Sequence, residues 1–256
     1  MTRLILEHVG YPYSTLMREP AVRPGPEIVA QIKEIVSEIN TGRPIQYILG
    51  YTYFLDLKIY LTNRVLIPRP ETEEMLHHIT SSQPYTPHRI LDLGTGSGCI
   101  ALGLKRKYPE SSVTGIDISK EALKVAERNG ILNHLHIEWR EWDMIQGKPG
   151  DLPGKIDLMV SNPPYVREKE RHQMHSNVLD FEPAEALFVP DLDPLIFHRA
   201  IALLGRQLLS KEGAVWVEIN ENLADETSIL FERAGYRNIQ VLKDIHDKNR
   251  FIRAIR

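Results

Sequence analysis

The stretch Val160-Ser161-Asn162-Pro163-Pro164-Tyr165 holds the residues best placed to do chemistry. An apolar run from Ile156 through Leu158, Met159 and Val160 leads into it and reads as a buried strand. The strand stops at a polar Asn, and two prolines follow. A proline fixes its own φ and donates no backbone hydrogen bond, and the residue before it is pushed towards extended conformations. Asn162 and Pro163 are therefore both restricted. A turn this stiff can aim the Asn162 carboxamide oxygen and the Pro163 carbonyl outward together. Both are acceptors. Side by side they can hold the two hydrogens of a planar amino group and leave its nitrogen facing an electrophile. Tyr165, just beyond, can wall one side of the site. In open α/β sheets ligands bind outside the carboxyl ends of strands. The competing reading is an Asn-Pro loop that only caps a strand.

The tetrad Asn162-Pro163-Pro164-Tyr165 resembles the motif of methyltransferases that act on planar nitrogens, such as amides and the exocyclic amines of bases. A second stretch, Ile90-Leu91-Asp92-Leu93-Gly94-Thr95-Gly96-Ser97-Gly98, runs from a strand into a glycine-rich turn and a helix. Glycines permit such a turn and let the backbone approach a ligand closely. The dinucleotide fingerprint wants G-x-G-x-x-G; here the last glycine comes one residue early. Asp117 ends the next strand, where a carboxylate can accept both hydroxyls of a ribose. Asp92 is poised to pair a cationic amino group, directly or through water. Together Asp92, Gly94, Thr95, Gly96, Ser97, Gly98 and Asp117 resemble the S-adenosylmethionine site of seven-strand methyltransferases. The alternatives are a generic strand-turn-helix or an NAD-type site. In Trp142-Asp143-Met144, the same resemblance implies that Asp143 accepts from the adenine amino group and Met144 packs on the ring. An ordinary strand-end turn is the other reading. Asn162, between cofactor and acceptor, is counted with both.

The elements that must position these residues follow from the rest of the chain. It has 256 residues, 42% hydrophobic and 25% charged, with a net charge of −3. That suits one good-sized domain, or one domain and a small extension. The basic excess of a protein that relies on duplex phosphates is not visible, so no stable nucleic-acid binding is expected. Cys99 is the single cysteine, which rules out an internal disulfide and a Cys-based zinc site. His77 and His78 sit on a helix and His172 and His175 in a polar loop, so no metal site is expected. No apolar run approaches the length of a membrane span, and the N-terminus shows no secretory pattern. A cytoplasmic location is the expectation.

The periodicity predicts a helix over 1–9, stopped by Gly10 and Pro12, and a second from Gly25-Pro26 to Gly42 with proline in its first turn. Two short strands, 51–55 and 57–61, read as a hairpin, and the stretch 65–73 opens a helix to about Thr80. Strands are then expected at 89–93, 113–117, 135–139, 156–161, 214–219, 238–242 and 251–255. Helices are expected between them, to Lys107, over 120–129 behind an N-capping Ser119, over 194–209 and over 221–234. Residues 166–193 read as one long irregular loop. Strands alternating with helices predict an α/β fold, a mostly parallel sheet with helices on both faces. The expected division is a helical lobe (1–42), a linker with the hairpin (43–69) and the sheet domain (70–256).

Three stretches match one family: Arg43-Pro44-x-Gln46-Tyr47-Ile48-x-Gly50, Leu66-Ile67-Pro68-Arg69-Pro70-Glu71-Thr72-Glu73, and the tetrad itself. With the glycine turn between them, the chain resembles the release-factor glutamine methyltransferases from about residue 3 to its C-terminus. The I-P-R-P-E-T-E stretch is the most specific part, because base methyltransferases share only the tetrad. The resemblance implies a seven-stranded Rossmann-like methyltransferase sheet and S-adenosylmethionine as cofactor. It implies methyl transfer to the side-chain amide of the glutamine in the Gly-Gly-Gln motif of peptide chain release factors, gripped by both lobes. It places Asn162 and Pro163 as catalytic, and Asn162, Pro163, Pro164, Tyr165 and Arg69 around the substrate. Two departures stand out. The helical lobe is one helix shorter than the family's, and Phe188-Val189-Pro190-Asp191-Leu192-Asp193-Pro194 replaces a glycine-rich run. An adenine-N6 methyltransferase and a non-catalytic cofactor-binding scaffold are the rival readings. The acidic balance and the R-P-x-Q-Y-I segment oppose the first; the intact Asn162 and glycines oppose the second.

Overall fold

The computed structural model describes residues 1–18, 23–82 and 85–256; residues 19–22 of the expected lobe lie outside them. Four helices lead the chain: α1 (Thr2–His8), α2 (Tyr13–Arg18), α3 (Pro26–Asn40) and α4 (Ile45–Leu49). Pro26 stands in the first turn of α3, and Gly42, at φ 88°, closes its far end. The expectation has no counterpart to α2, which begins one residue after Pro12; the proline that ends one helix starts the next. Ile5, Ile35 and Leu49 bury a small core of their own, with Ile32, Ile39, Ile45 and Tyr51 against it.

The expected hairpin is present as β1 (Tyr51–Phe54) and β2 (Leu57–Tyr60), with Phe54 opposite Leu57. Its Phe54, Leu57 and Ile59, with Leu61, Val65 and Ile67, are buried in the core of the sheet domain. After α5 (Pro70–Ser82) come β3 (Arg89–Leu93), α6 (Cys99–Lys107), β4 (Ser112–Asp117), α7 (Lys120–Leu132), β5 (Glu138–Glu141) and β6 (Ile156–Ser161). Then follow β7 (Val166–Arg167), α8 (Ser176–Phe181), β8 (Phe188–Val189), α9 (Ile196–Leu208), β9 (Leu209–Glu218), α10 (Ala224–Arg233), β10 (Arg237–Lys243) and β11 (Asn249–Ile255).

Seven strands form one sheet in the order β10-β11-β9-β6-β3-β4-β5. The neighbours from β9 to β5 are parallel, and β11 runs antiparallel to both β9 and β10. Side chains alternate between faces along each strand. Ile90, Leu158, Val160 and Trp216 enter the core with α5 and α6. Leu91, Met159, Val215 and Val217 enter the core with α9 and α10. The same alternation puts Asp92 and Glu218 on the α5–α6 face.

Two expectations are corrected. The third strand lies at Glu138–Glu141 rather than 135–139. Leu135 N donates to Gly130 O at 2.9 Å, which ties Leu135 to the end of α7. Ladder pairing with β4 starts only at Thr114 opposite Glu138. The apolar Leu135 and Ile137 pack inward ahead of a charged edge strand. Residues 166–193, expected to be irregular, hold α8 and a parallel pair in which Val166 opposes Phe188.

Register fixes the functional edge. Leu93 pairs with Ser161 and with Ile116, and Ser161 pairs with Val217. The residues that follow, Gly94, Asp117, Asn162 and Glu218, therefore stand at one level at the carboxyl ends of four adjacent strands.

Candidate active site

A cavity of about 380 Å³ opens at that carboxyl edge. On one side is the glycine turn. Gly94 N and Thr95 N both donate to Ile116 O, at 2.9 and 2.8 Å, folding the turn across β4. Gly94, Gly96 and Gly98 have φ of 71, 54 and 82°, values that side chains with a Cβ rarely adopt. A Cβ at Gly96 would meet nothing within 4 Å, so the backbone there faces open space. Gly94, Thr95, Gly96 and Ser97 line the cavity. Gly98 serves packing instead. A Cβ there would come within 2.9 Å of the Trp139 ring and 3.1 Å of Ala126.

Asp117 lines the cavity with its carboxylate held by backbone: Oδ2 accepts from Gly96 N and Oδ1 from Ser119 N, each at 2.9 Å. Each oxygen keeps a further lone pair for a ligand hydroxyl. Burial raises this carboxyl's pKa. Asp92 lies beneath the turn rather than in the wall. Its Oδ2 accepts from Thr95 Oγ1 at 2.6 Å and from Ala101 N at 3.2 Å. Its Oδ1 is buried without a partner, and burial pushes the carboxyl up to about 7 against those two bonds. A cationic group reaching Oδ1, directly or through water, would satisfy an otherwise costly orphan. The Trp142–Met144 turn closes this side. Asp143 Oδ1 accepts from Ile145 N and Gln146 N at 2.7 and 3.1 Å, which leaves Oδ2 for a ligand. Met144 Cε reaches to 3.7 Å of where a Gly94 Cβ would stand. The apolar wall also takes Ile118, Ile145 and Phe197, which carry no sequence signal beyond their apolar character.

The other side of the cavity is built around Asn162. Its Nδ2 donates to Thr72 Oγ1 at 3.2 Å, and Thr72 Oγ1 donates to Glu218 Oε1 at 2.5 Å. Glu218 is 1% exposed, and burial pushes its carboxyl up to about 7. Asn162, Pro164, Pro68, Arg69 and Thr72 line the cavity. Tyr165 does not wall it. Its hydroxyl turns inward to donate to Glu218 Oε2 at 3.4 Å, because a buried carboxylate takes the donors within reach. Pro163 is buried behind the wall that Pro164 forms. Arg69 lines the cavity, but its Nη2 donates to the buried Glu182 Oε1 at 2.6 Å. Glu182 Oε2 also accepts from Ile67 N at 3.2 Å. This clasp joins the I-P-R-P stretch to 182–187, and Pro183, Glu185 and Ala186 complete the wall. Thr72, Glu182 and Glu218, which hydrogen-bond the wall residues Asn162 and Arg69 directly or through one another, had no part in the sequence reading of the site. The visible signal for Glu218 was an acid at the end of the apolar run Ala214–Val217.

Solved structures share this sheet. A methyltransferase from Pyrococcus furiosus superposes with a TM-score of 0.58 at 16% identity, covering 87% of this chain and 98% of that one. A Thermus thermophilus 16S rRNA methyltransferase, solved in complex with AdoMet and guanosine, gives 0.56 at 18%, covering 80% and 49%. At such identities the likeness speaks for the fold alone, the Rossmann-like fold of those methyltransferases. Residues 71–187 match the methyltransferase small domain family. A release factor glutamine methyltransferase of Flavobacterium psychrophilum is 42% identical over 227 residues, 87% of this chain and 79% of that protein. One of Bacteroides thetaiotaomicron is 42% identical over 226 residues, 88% and 81%. The chain belongs to the release factor glutamine methyltransferase family, and it is an enzyme of that kind.

Proposed function

We propose that this protein transfers a methyl group from S-adenosylmethionine to the side-chain amide nitrogen of the glutamine in the Gly-Gly-Gln motif of peptide chain release factors. The observation that carries the reading is the placement of the Asn162 acceptor and the glycine turn in one cavity, with family membership choosing the substrate. The cavity fits the cofactor. Gly94, Thr95 and Gly96 offer open backbone, Asp117 offers an oriented carboxylate for ribose hydroxyls, Asp143 and Met144 stand for the adenine, and Asp92 supplies buried negative charge. The bound cofactor supplies an electrophilic methyl group on a sulfonium.

The chain's own task is to present a poor nucleophile. An amide nitrogen has a delocalised lone pair; Asn162, in the cavity wall, would accept one of its hydrogens at Oδ1, and the carbonyl of the buried Pro163 would accept the other once the substrate is seated past Pro164. That orients the nitrogen and stabilises the positive charge that grows on it. A methylated cationic amide is strongly acidic and sheds its proton to water, so no buried general base is required. Residues 1–42 would hold the release factor outside the cavity. The 166–193 segment would do more than grip substrate, because its Pro183, Glu185 and Ala186 wall the cavity. A release-factor substrate also places the work in the cytoplasm.

The test offers radiolabelled cofactor to the purified protein with release factor, with a release factor whose motif glutamine is replaced by Ala, and with DNA and RNA. Label should enter the first alone, with methylglutamine found in the peptide by mass spectrometry. Label that goes to nucleic acid and leaves release factor untouched would reject the proposal.

A further inference from the structure

We infer that Thr72 and Glu218 set the sense of the Asn162 carboxamide, so that its oxygen faces the cavity, and that protonation of Glu218 reverses it. The inference rests on reading Asn162 as the acceptor for the substrate amide. It makes Thr72 and Glu218 positioning residues.

The argument is a proton inventory. A carboxamide fits its space in two senses half a turn apart, and its neighbours decide between them. The Thr72 hydroxyl has one proton and two lone pairs. An ionised Glu218 can only accept, and its Oε1 lies 2.5 Å from Thr72 Oγ1. Thr72 therefore gives its proton to Glu218 and is left as an acceptor. What faces it at 3.2 Å must donate, and in Asn162 that is the NH2. The carboxamide oxygen lies on the opposite branch, and it takes no hydrogen bond from the described residues. A protonated Glu218 inverts this order. Its O–H can donate to Thr72, the Thr72 proton then goes to Asn162 Oδ1, and the NH2 is presented to an incoming amide NH2. Two donors face each other and the nucleophile is no longer held.

The groups around Glu218 bear on when this happens. From α5 come Thr72 and Glu71, from the turn after β6 comes Tyr165, and from β11 comes Arg250. Arg250 Nε is itself paired with Asp244 Oδ2 at 3.0 Å. From α6 comes the buried Cys99 thiol, pushed up to about 12 by burial and so neutral. From α9 comes His198, with Nε2 2.9 Å from the Glu218 carbonyl oxygen and its pKa lowered by burial, so that it too is neutral. Burial is the largest effect on Glu218 and Glu71 adds to it, against Thr72, Arg250 and Tyr165; the balance puts the change near neutrality, at about 7.

The experiment measures single-turnover transfer to release factor, with cofactor affinity by calorimetry, across the neutral range. It uses the wild type, Thr72→Val, Thr72→Ser, Glu218→Gln and Asn162→Ala. At saturating cofactor the wild-type rate should fall on acidification, and any loss of cofactor affinity, read separately by calorimetry, belongs to Asp92, whose carboxyl is also pushed up to about 7. Thr72→Val should slow transfer by up to about 10²-fold, the scale of a misplaced catalytic group, with affinity within a few-fold, and Thr72→Ser should restore the rate. Glu218→Gln keeps an oxygen that accepts from Thr72 and cannot be protonated near neutrality, so its acid limb should vanish. A folded Thr72→Val at the wild-type rate, or an acid limb that persists in Glu218→Gln, overturns the inference. A wild-type rate flat across the range overturns it even if neither variant folds. Asn162→Ala separates the two readings. Full activity there rejects the acceptor role itself, whereas a slow Asn162→Ala beside an unimpaired Thr72→Val rejects only the positioning.

Discussion

The two sides of the cavity are built on different principles. The glycine-turn side comes from the ends of β3, β4 and β5, strands consecutive in the chain. Each of its parts is a short local motif, and its carboxylate at Asp117 is held by backbone amides of that turn and of its own strand end. The Asn162 side is assembled from α5, β6 and β9. Its two central hydrogen bonds span 90 and 146 residues of sequence. The first side is stiff because local backbone geometry leaves it little freedom. The second is stiff only because burial leaves Glu218 and Thr72 no partners except each other and their neighbours. The contrast suits the tasks proposed for them: a ligand bound through an open backbone on one side, and one acceptor held in one sense on the other.

The largest expected effect breaks the second side alone. Asn162→Ala should slow single-turnover transfer by about 10²–10³, the scale for losing one preorganised polar group at a reacting centre. Cofactor affinity should stay within a few-fold, because the glycine turn and Asp117 are untouched. Asn162→Asp keeps an acceptor and should retain more activity than Ala. A folded Asn162→Ala that also loses cofactor would merge the two sides into one.

The mirror experiment is Asp117→Ala. Cofactor affinity by calorimetry should weaken by about 1.5–3 kcal/mol, the range for hydrogen bonds to a charged group, with transfer at saturating cofactor changed much less. Unchanged affinity would remove Asp117 from the site.

Within the glycine turn, Gly96→Ala and Gly98→Ala share a backbone penalty of about 1–2 kcal/mol for the left-handed conformation. Gly98→Ala adds contacts with Trp139 and Ala126 that Gly96→Ala lacks. Chemical denaturation should therefore show the greater loss of stability in Gly98→Ala, and cofactor titration the greater loss of affinity in Gly96→Ala. The reverse ranking would mean that the turn moves to accommodate side chains.

The last effects are on stability against pH, and they differ in sign. Glu218 is raised from 4.5 to about 7. Its contribution to stability is full below 4.5 and lost as pH rises through about 7. His198 is lowered from 6.5 to about 4. Its contribution is present above 6.5 and lost as pH falls through about 4. Melting temperatures measured across this range should show Glu218→Gln relieving an alkaline-side loss and His198→Leu an acid-side one. Parallel shifts in both variants would contradict the opposite directions in which burial moves a carboxyl and an imidazole.

Much of this protein was legible in one dimension. The alternation of apolar strands with helices determined the α/β class. The G-x-G-x-G spacing marked the turn, and Pro163 and Pro164 marked the stiff end of β6. Those signals are local: a glycine's positive φ and a proline's fixed φ belong to the residue itself. What only the tertiary structure decided is whatever depends on register and on which face a side chain takes. Nothing around Tyr165 in sequence says that its hydroxyl turns to Glu218. Nothing around Arg69 says that it is clasped by Glu182, 113 residues away. Strand pairing puts Leu93, Ser161 and Val217 in line, and the next residues become neighbours although the chain holds them far apart. A buried carboxylate such as Glu218 then recruits whatever donors that register brings within reach.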